Sequence, residues 1–194
     1  MIEPQPDPIS LEEYDCLTPP EGEHYELIDG YLYAFSTGTG THGVLCTRIA
    51  NALGNHVKPP CTVFGASTIG VRQHESTTNV IPDGAVTCDD TDLSKTYIVA
   101  PKLVVEVISP RSVRRDRADK LDVYRAIPSV LEYLMVDSRR VWASVFRRGP
   151  GGSWLDFTYS SLDESIGLLS VDLRLPLRDL YRGLDPRMPR RRRR

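Results

Sequence analysis

Glu106 sits in the run Val104-Val105-Glu106-Val107-Ile108, where every neighbour is apolar and the pattern predicts burial. A carboxylate alone in such surroundings is heavily penalised unless it is protonated, paired with a cation or bound to a metal ion. Perturbed buried acids cluster at functional sites; the competing accounts are a structural ion pair and a strand end reaching solvent. Asp83 repeats the anomaly, following Val80-Ile81-Pro82 and preceding Gly84-Ala85-Val86, just where a proline interrupts the strand ladder. Pro-Asp-Gly by itself is an ordinary turn. Two acids on neighbouring strands, however, can converge on one hard cation, which oxygen ligands suit.

Lys120 falls beside the inward stripe of the following helix, because Lys120, Tyr124 and Ile127 stand at i, i+4 and i+7. As a snorkelling lysine it would only cover apolar surface. As a site residue it would aim a positive charge back at the carboxylates, orienting a water or stabilising a phosphorane-like transition state. Asp116, one turn earlier, is spaced to hold it. Glu26 stands in an early hairpin and His42 opens a helix. A third acid near a metal pair and an imidazole near a phosphate would both serve hydrolysis, while each residue taken alone is as much at home in a structural role. Arg111, Arg114, Arg115 and Arg117 gather at a helix start, where the alternatives are a solvated face and contacts to a phosphate backbone.

Other constellations carry less. Gly38-Thr39-Gly40 lacks the lysine of a P-loop and the preceding long strand of a dinucleotide fold. His24, His56 and His74 share no ligand spacing, and Ser109 is not in a G-x-S-x-G elbow. Cys16, Cys46, Cys61 and Cys88 contain no CxxC pair, so the sequence supports neither a zinc knuckle nor a disulfide framework and reads as four reduced thiols, mostly packing residues.

The elements that must position these residues follow from local pattern. Ser10-Leu11-Glu12-Glu13 is a capping box for a short helix to about Leu17. Tyr25 to Ile28, Asp29-Gly30 and Tyr31 to Phe35 spell strand, type I′ turn, strand. Leu45, Ile49, Ala52 and Leu53 mark a helix from His42 to about His56. Short strands are expected at Cys61 to Phe64, Thr68 to Arg72 and Val80 to Val86. Lys102 to Ile108 shows no alternation, the pattern of a strand covered on both faces. A helix from Val113 to Ile127 and a hairpin of Leu131 to Asp137 with Val141 to Phe146 make strand, helix, strand a crossover unit. Trp154 to Tyr159 reads as an edge strand and Pro176 to Tyr181 as a last short helix.

Composition bounds the rest. The 194 residues, 40% hydrophobic and 26% charged, fit one domain over 1–185 and exclude collagen-like, disordered and coiled-coil chains. No apolar run approaches the ~20 residues of a spanning helix, and the first residues lack the regions of a signal peptide, so a soluble, cytoplasmic protein is expected. Five of the 24 basic residues are the run Arg190 to Arg194; set aside, they leave 19 against 26 acidic residues, a net of −7. Such a body attracts nucleic acid only through local patches, bound cations or the tail, residues 186–194, which is expected to be disordered.

Taken in order, Tyr25-Glu26-Leu27-Ile28-Asp29-Gly30, His42, Pro82-Asp83, the stretch Pro101 to Pro110, Asp116, Lys120, Tyr124, Glu132-Tyr133 and Asp137 resemble the Uma-type proteins of the restriction-endonuclease-like PD-(D/E)xK superfamily. The resemblance implies an α/β (α+β) fold with a restriction-endonuclease-like core, a mixed central β-sheet flanked by helices. It implies Asp83 and Glu106 as ligands of Mg²⁺ or Mn²⁺. Ile108 stands where the superfamily has its lysine, and the helical Lys120 takes that place. The function implied is a divalent-metal-dependent endonuclease hydrolysing DNA phosphodiester bonds, with catalytic residues Lys120, Glu26, His42, Asp83 and Glu106. Glu26 would support a second ion or a water, and His42 would contact the phosphate or help a proton transfer. DNA is the partner expected, contacted by Arg111, Arg114 and Arg115; no membrane is involved, and a homodimer is compatible with this reading. The rivals are a non-catalytic nucleic-acid or protein-binding module that retains the fold and a metal phosphoesterase for a small molecule, since fold does not settle function.

Overall fold

Ser10 accepts the Glu13 N–H on its hydroxyl while the Glu13 carboxylate takes the Ser10 N–H, and this reciprocal cap starts α1 (Leu11–Asp15). The helix ends two residues short of the expected Leu17. Asp29 and Gly30 both take positive φ, 51° and 83°, so the expected tight turn joins β1 (Glu23–Ile28) to β2 (Tyr31–Ser36). The Thr39 hydroxyl accepts the His42 N–H and caps α2 (Gly40–His56), which puts His42 within the first turn and not at its opening.

The structure, a computed structural model, describes residues 7–36, 38–65, 69–73, 76–89, 91–108 and 113–186, without the side chains of Ser36 and of 113–119. Two sheets dominate. The larger runs β11 (Trp154–Tyr159), β10 (Ala143–Arg148), β9 (Glu132–Asp137), β8 (Pro101–Ile108), β6 (Gly84–Thr87) and β3 (Thr62–Gly65). Its one parallel joint, β8 to β9, is bridged by α3 (Val113–Ala126), the expected crossover, and the others are antiparallel. The smaller sheet runs β2, β1, β5 (Asn79–Val80), β4 (Gly70–Arg72) and β7 (Tyr97–Ile98). A hairpin of β12 (Ser165–Leu168) and β13 (Leu173–Pro176), not foreseen from sequence, leads into α4 (Leu177–Leu180). The class is mixed α/β, as expected.

β8 explains the layering. Leu103, Val105 and Val107 pack with Leu45, Cys46, Ile49 and Leu53 of α2 and with Ile166, Leu175 and Leu177 beyond. Val104 and Ile108 face the other way, toward Ile28, Val71 and Val80 of the smaller sheet, Leu121 and Tyr124 of α3, and Ile127 just past its end. Both faces are covered, which is why the strand reads as an unbroken apolar run. Alternation assigns Glu106 to the second face, between the two sheets and under α3.

Two expectations are corrected. Val80 to Val86 is not one strand: β5 ends at Val80 in one sheet, β6 starts at Gly84 in the other, and Ile81-Pro82-Asp83 crosses between them. Pro82 has no N–H to give a ladder, so the break falls there. Cys61 and Cys88 are not reduced thiols but a disulfide. Thr62 faces Thr87 across β3 and β6, and one step outward that register brings the two cysteines opposite each other. Cys16 and Cys46 are free thiols.

Candidate functional site

The crossing segment Ile81-Pro82-Asp83 has left one ladder without yet joining the next, so its backbone needs other partners. The Ile81 N–H donates to Glu26 Oε1 at 2.9 Å, and Lys120 Nζ reaches the Ile81 carbonyl at 3.5 Å. Glu26 shares a face of β1 with Ile28, two residues on, and so points into the space between the sheets. There Lys120 Nζ lies 2.7 Å from Glu26 Oε1 and 2.8 Å from Glu106 Oε1. The Tyr124 hydroxyl, one turn after Lys120, donates to the same Glu106 Oε1 at 2.9 Å. Glu26, Glu106, Lys120 and Tyr124 are all buried, between 0 and 4% exposed.

Asp83 stands at the edge of this group. Its Oδ2 accepts the Val107 N–H at 2.7 Å, just past the last paired residues, Gly84 and Val105, so the carboxylate extends the ladder where Pro82 has broken it. The same oxygen lies 3.1 Å from His42 Nε2, and both side chains are 22% exposed, which makes this the open end of the site. Cys46, one turn along α2, brings its sulfur within 3.5 Å of His42 Nδ1. Burial pushes the Cys46 thiol pKa well up, and the charges of Asp83 and Glu106 push it further; both carboxylates therefore act on one thiol. The Tyr124 hydroxyl is raised far above its ordinary value, first by burial and then by Glu106, Tyr133 and Glu26.

The structure thus brings Glu26, Asp83, Glu106, Lys120 and His42 together from β1, the inter-sheet crossing, β8, α3 and α2. Two neighbours escaped the sequence reading. Tyr124 shares the Lys120 stripe with no sign in the sequence that it donates to Glu106, and Cys46 reads as a packing residue although its i, i+4 spacing from His42 is legible. Arg111 lies outside the described residues. Arg114, Arg115 and Asp116 lie in α3 with their side chains outside what is described, and residues 187–194 of the basic tail are outside it too.

Residues 11–178 match the family described as "Uma2: Putative restriction endonuclease". The chain belongs to the Uma2 family. Among its relatives, "Uncharacterized protein slr1290" of Synechocystis sp. is 32% identical over 177 residues, covering 91% of this chain and 93% of that one. A second Synechocystis protein, "Uncharacterized protein sll1609", is 26% identical over 118 residues, 59% of this chain and 67% of its own. The crystal structure of "a putative nuclease belonging to DUF820" from Anabaena variabilis matches with a TM-score of 0.74 at 18% identity, over 90% of this chain and 98% of the other. At that identity the likeness establishes the fold. Among the described residues of this Uma2 protein, no helix is long and apolar enough to cross a membrane.

Proposed function

We propose that this Uma2 protein is a divalent-metal-dependent endonuclease acting on DNA, with Asp83 and Glu106 as the residues that hold Mg²⁺ or Mn²⁺. One observation carries the reading. Three carboxylates converge where the two sheets meet: the buried Glu26 and Glu106 share the Lys120 ammonium, and Asp83 lies beside them on the Val107 N–H with His42 at its open side. Carboxylate oxygens converging from a strand and a neighbouring crossing segment are the donors a hard cation takes, so the residues present fit the ion. When bound, such an ion polarises a phosphoryl oxygen and lowers the pKa of its water.

The chain's own residues do the rest. Tyr124 and Lys120 both hold Glu106 by Oε1, and Val107 holds Asp83 by Oδ2, so neither carboxylate is free to rotate. Lys120, anchored by Glu26 and Glu106, keeps a fixed ammonium where negative charge develops on the phosphate. Glu26 is a positioning residue for Lys120 and for the crossing segment at Ile81. His42, at the open end, contacts the phosphate or moves a proton. Arg111, Arg114 and Arg115 are assigned to the phosphate backbone, the fold is taken as one domain to residue 185, and the cytoplasm is taken as its compartment.

Incubation with plasmid and single-stranded DNA in Mn²⁺, beside a calorimetric metal titration, tests the reading. Wild-type protein cleaves only with the ion, Lys120→Ala loses roughly 10²–10³-fold in rate with near-normal metal affinity, and Asp83→Ala binds metal weakly. Because Lys120→Ala also strips Glu26 and Glu106 of their cation, its folded fraction is measured in the same samples by circular dichroism. Metal binding without cleavage of either DNA would leave a non-catalytic binding module. Normal cleavage by Lys120→Ala would return Lys120 to a structural role.

A further inference from the structure

The proposed hydrolysis gives Cys46 no task, yet its sulfur lies 3.5 Å from His42 Nδ1 and 3.9 Å from His42 Nε2, and His42 Nε2 lies 3.1 Å from Asp83 Oδ2. One ligand atom from each of His42, Cys46 and Asp83 falls within 4.8 Å of the other two. Around a tetrahedral ion with a metal–sulfur bond of about 2.3 Å and metal–nitrogen and metal–oxygen bonds of about 2.0 Å, donor atoms stand roughly 3.3–3.6 Å apart. With Nε2 as the nitrogen donor, its separations from the sulfur, 3.9 Å, and from Asp83 Oδ2, 3.1 Å, differ from these by a few tenths of an ångström, a shift that side-chain adjustment supplies.

The scaffold produces this arrangement from ordinary parts. His42 and Cys46 share one face of α2 because they are four residues apart. Asp83 is pinned opposite them by the Val107 N–H. Cys46 is buried, whereas His42 and Asp83 are each 22% exposed, so three protein donors close the inner side and the outer side stays open. Three ligands with an open fourth position is the pattern of a catalytic zinc site, in contrast to the closed four-ligand structural one.

We propose that His42, Cys46 and Asp83 form a binding position for a zinc-class transition ion, with the fourth position open to water or a phosphate oxygen. Thiolate and imidazole suit zinc, iron and cobalt and are poor ligands for magnesium, so this position differs in kind from the all-oxygen pair of Asp83 with Glu106. As the sulfur–metal bond forms, the thiol proton leaves to solvent. The inference stands on ligand geometry and does not require that the protein cleave DNA.

The test uses the full-length protein loaded with Co²⁺ for absorption and with Zn²⁺ for X-ray absorption at the metal edge. A thiolate-to-cobalt charge-transfer band that saturates at one equivalent is expected, with one sulfur neighbour of zinc at about 2.3 Å. Cys46→Ser removes the band and weakens zinc binding by at least the roughly 10–100-fold that even an outer partner of a metal ligand is worth. Cys16→Ser, at the exposed free thiol, leaves both unchanged. The zinc neighbour shell is read on wild-type protein, so the result survives a variant that folds poorly. A shell of oxygen and nitrogen alone, or a band that survives Cys46→Ser, overturns the inference. If Mn²⁺ binding through Glu106 persists beside such a shell, the DNA reading stands while this one falls; a sulfur-bearing shell in a protein that cleaves no DNA gives the reverse.

Discussion

Glu132, at the start of β9, is 1% exposed and has all that a buried carboxylate requires. Arg147 Nε donates to its Oε1 at 2.6 Å, the Leu169 N–H to the same oxygen at 3.1 Å, and the N–H and hydroxyl of Ser170 to Oε2 at 2.8 and 2.5 Å. One acid meets one base, and both of its oxygens accept hydrogen bonds. Glu106, on the neighbouring strand β8, shares a single ammonium with Glu26 and has Asp83 beside the next backbone N–H. The two acids are almost equally buried, so burial alone does not separate a structural carboxylate from one held for chemistry. Their cations separate them: Glu132 faces Arg147, whereas the Lys120 ammonium beside Glu106 is shared with Glu26.

That contrast breaks first at Arg147. Arg147→Met leaves Glu132 buried without its cation and should lower unfolding stability by about 3–5 kcal/mol in a urea titration, the usual consequence of removing one partner from a buried pair. A loss below about 1 kcal/mol would mean that Glu132 is not held by its pairing. Glu106→Gln is the opposite experiment. The amide oxygen still accepts from Tyr124 and Lys120 while one negative charge disappears, so metal-free stability in EDTA should stay within about 1 kcal/mol of wild type or rise, as site residues commonly exchange stability for function. Mn²⁺ affinity should fall at the same time. A loss as large as that of Arg147→Met would make Glu106 a second Glu132.

The smallest effect lies at alkaline pH. Tyr124 is held above its ordinary value of 10.0 by burial and by Glu106, and Tyr181 is raised as well, mainly by burial. A raised folded-state pKa contributes stability that is complete below about pH 10 and is lost as pH rises through the folded value, by about 1.4 kcal/mol per unit for each group. Tyr124→Phe and Tyr181→Phe should therefore each flatten the alkaline loss of stability followed by circular dichroism by about that slope, and the loss removed with Tyr124 should include the effect of its acidic neighbours as a wider pH range. An alkaline loss of stability that is unchanged in Tyr124→Phe would show that Tyr124 is not held neutral by its surroundings.

Much of the frame was legible from neighbours in sequence. The Ser10 capping box, the Asp29-Gly30 turn and the unbroken apolar run of β8 are local, because backbone preference and periodicity are written within a few residues. Glu106 stood out for the same reason, as a charge inside an apolar strand. What no local pattern held was which charges meet. Lys120 reaches Glu26 from 94 positions away, and Asp83 reaches His42 from 41. Both contacts depend on the chain leaving one sheet at Val80 and entering the other at Gly84, and Pro82 alone signalled only an interruption. The Cys61–Cys88 disulfide likewise follows from the register of β3 against β6. The sequence by itself determined the elements and the acids that needed partners. Only the tertiary structure decided that Glu132 receives a full set and Glu106 a shared one, because long-range strand pairing, unlike a turn or a cap, is set by the packing of the whole core.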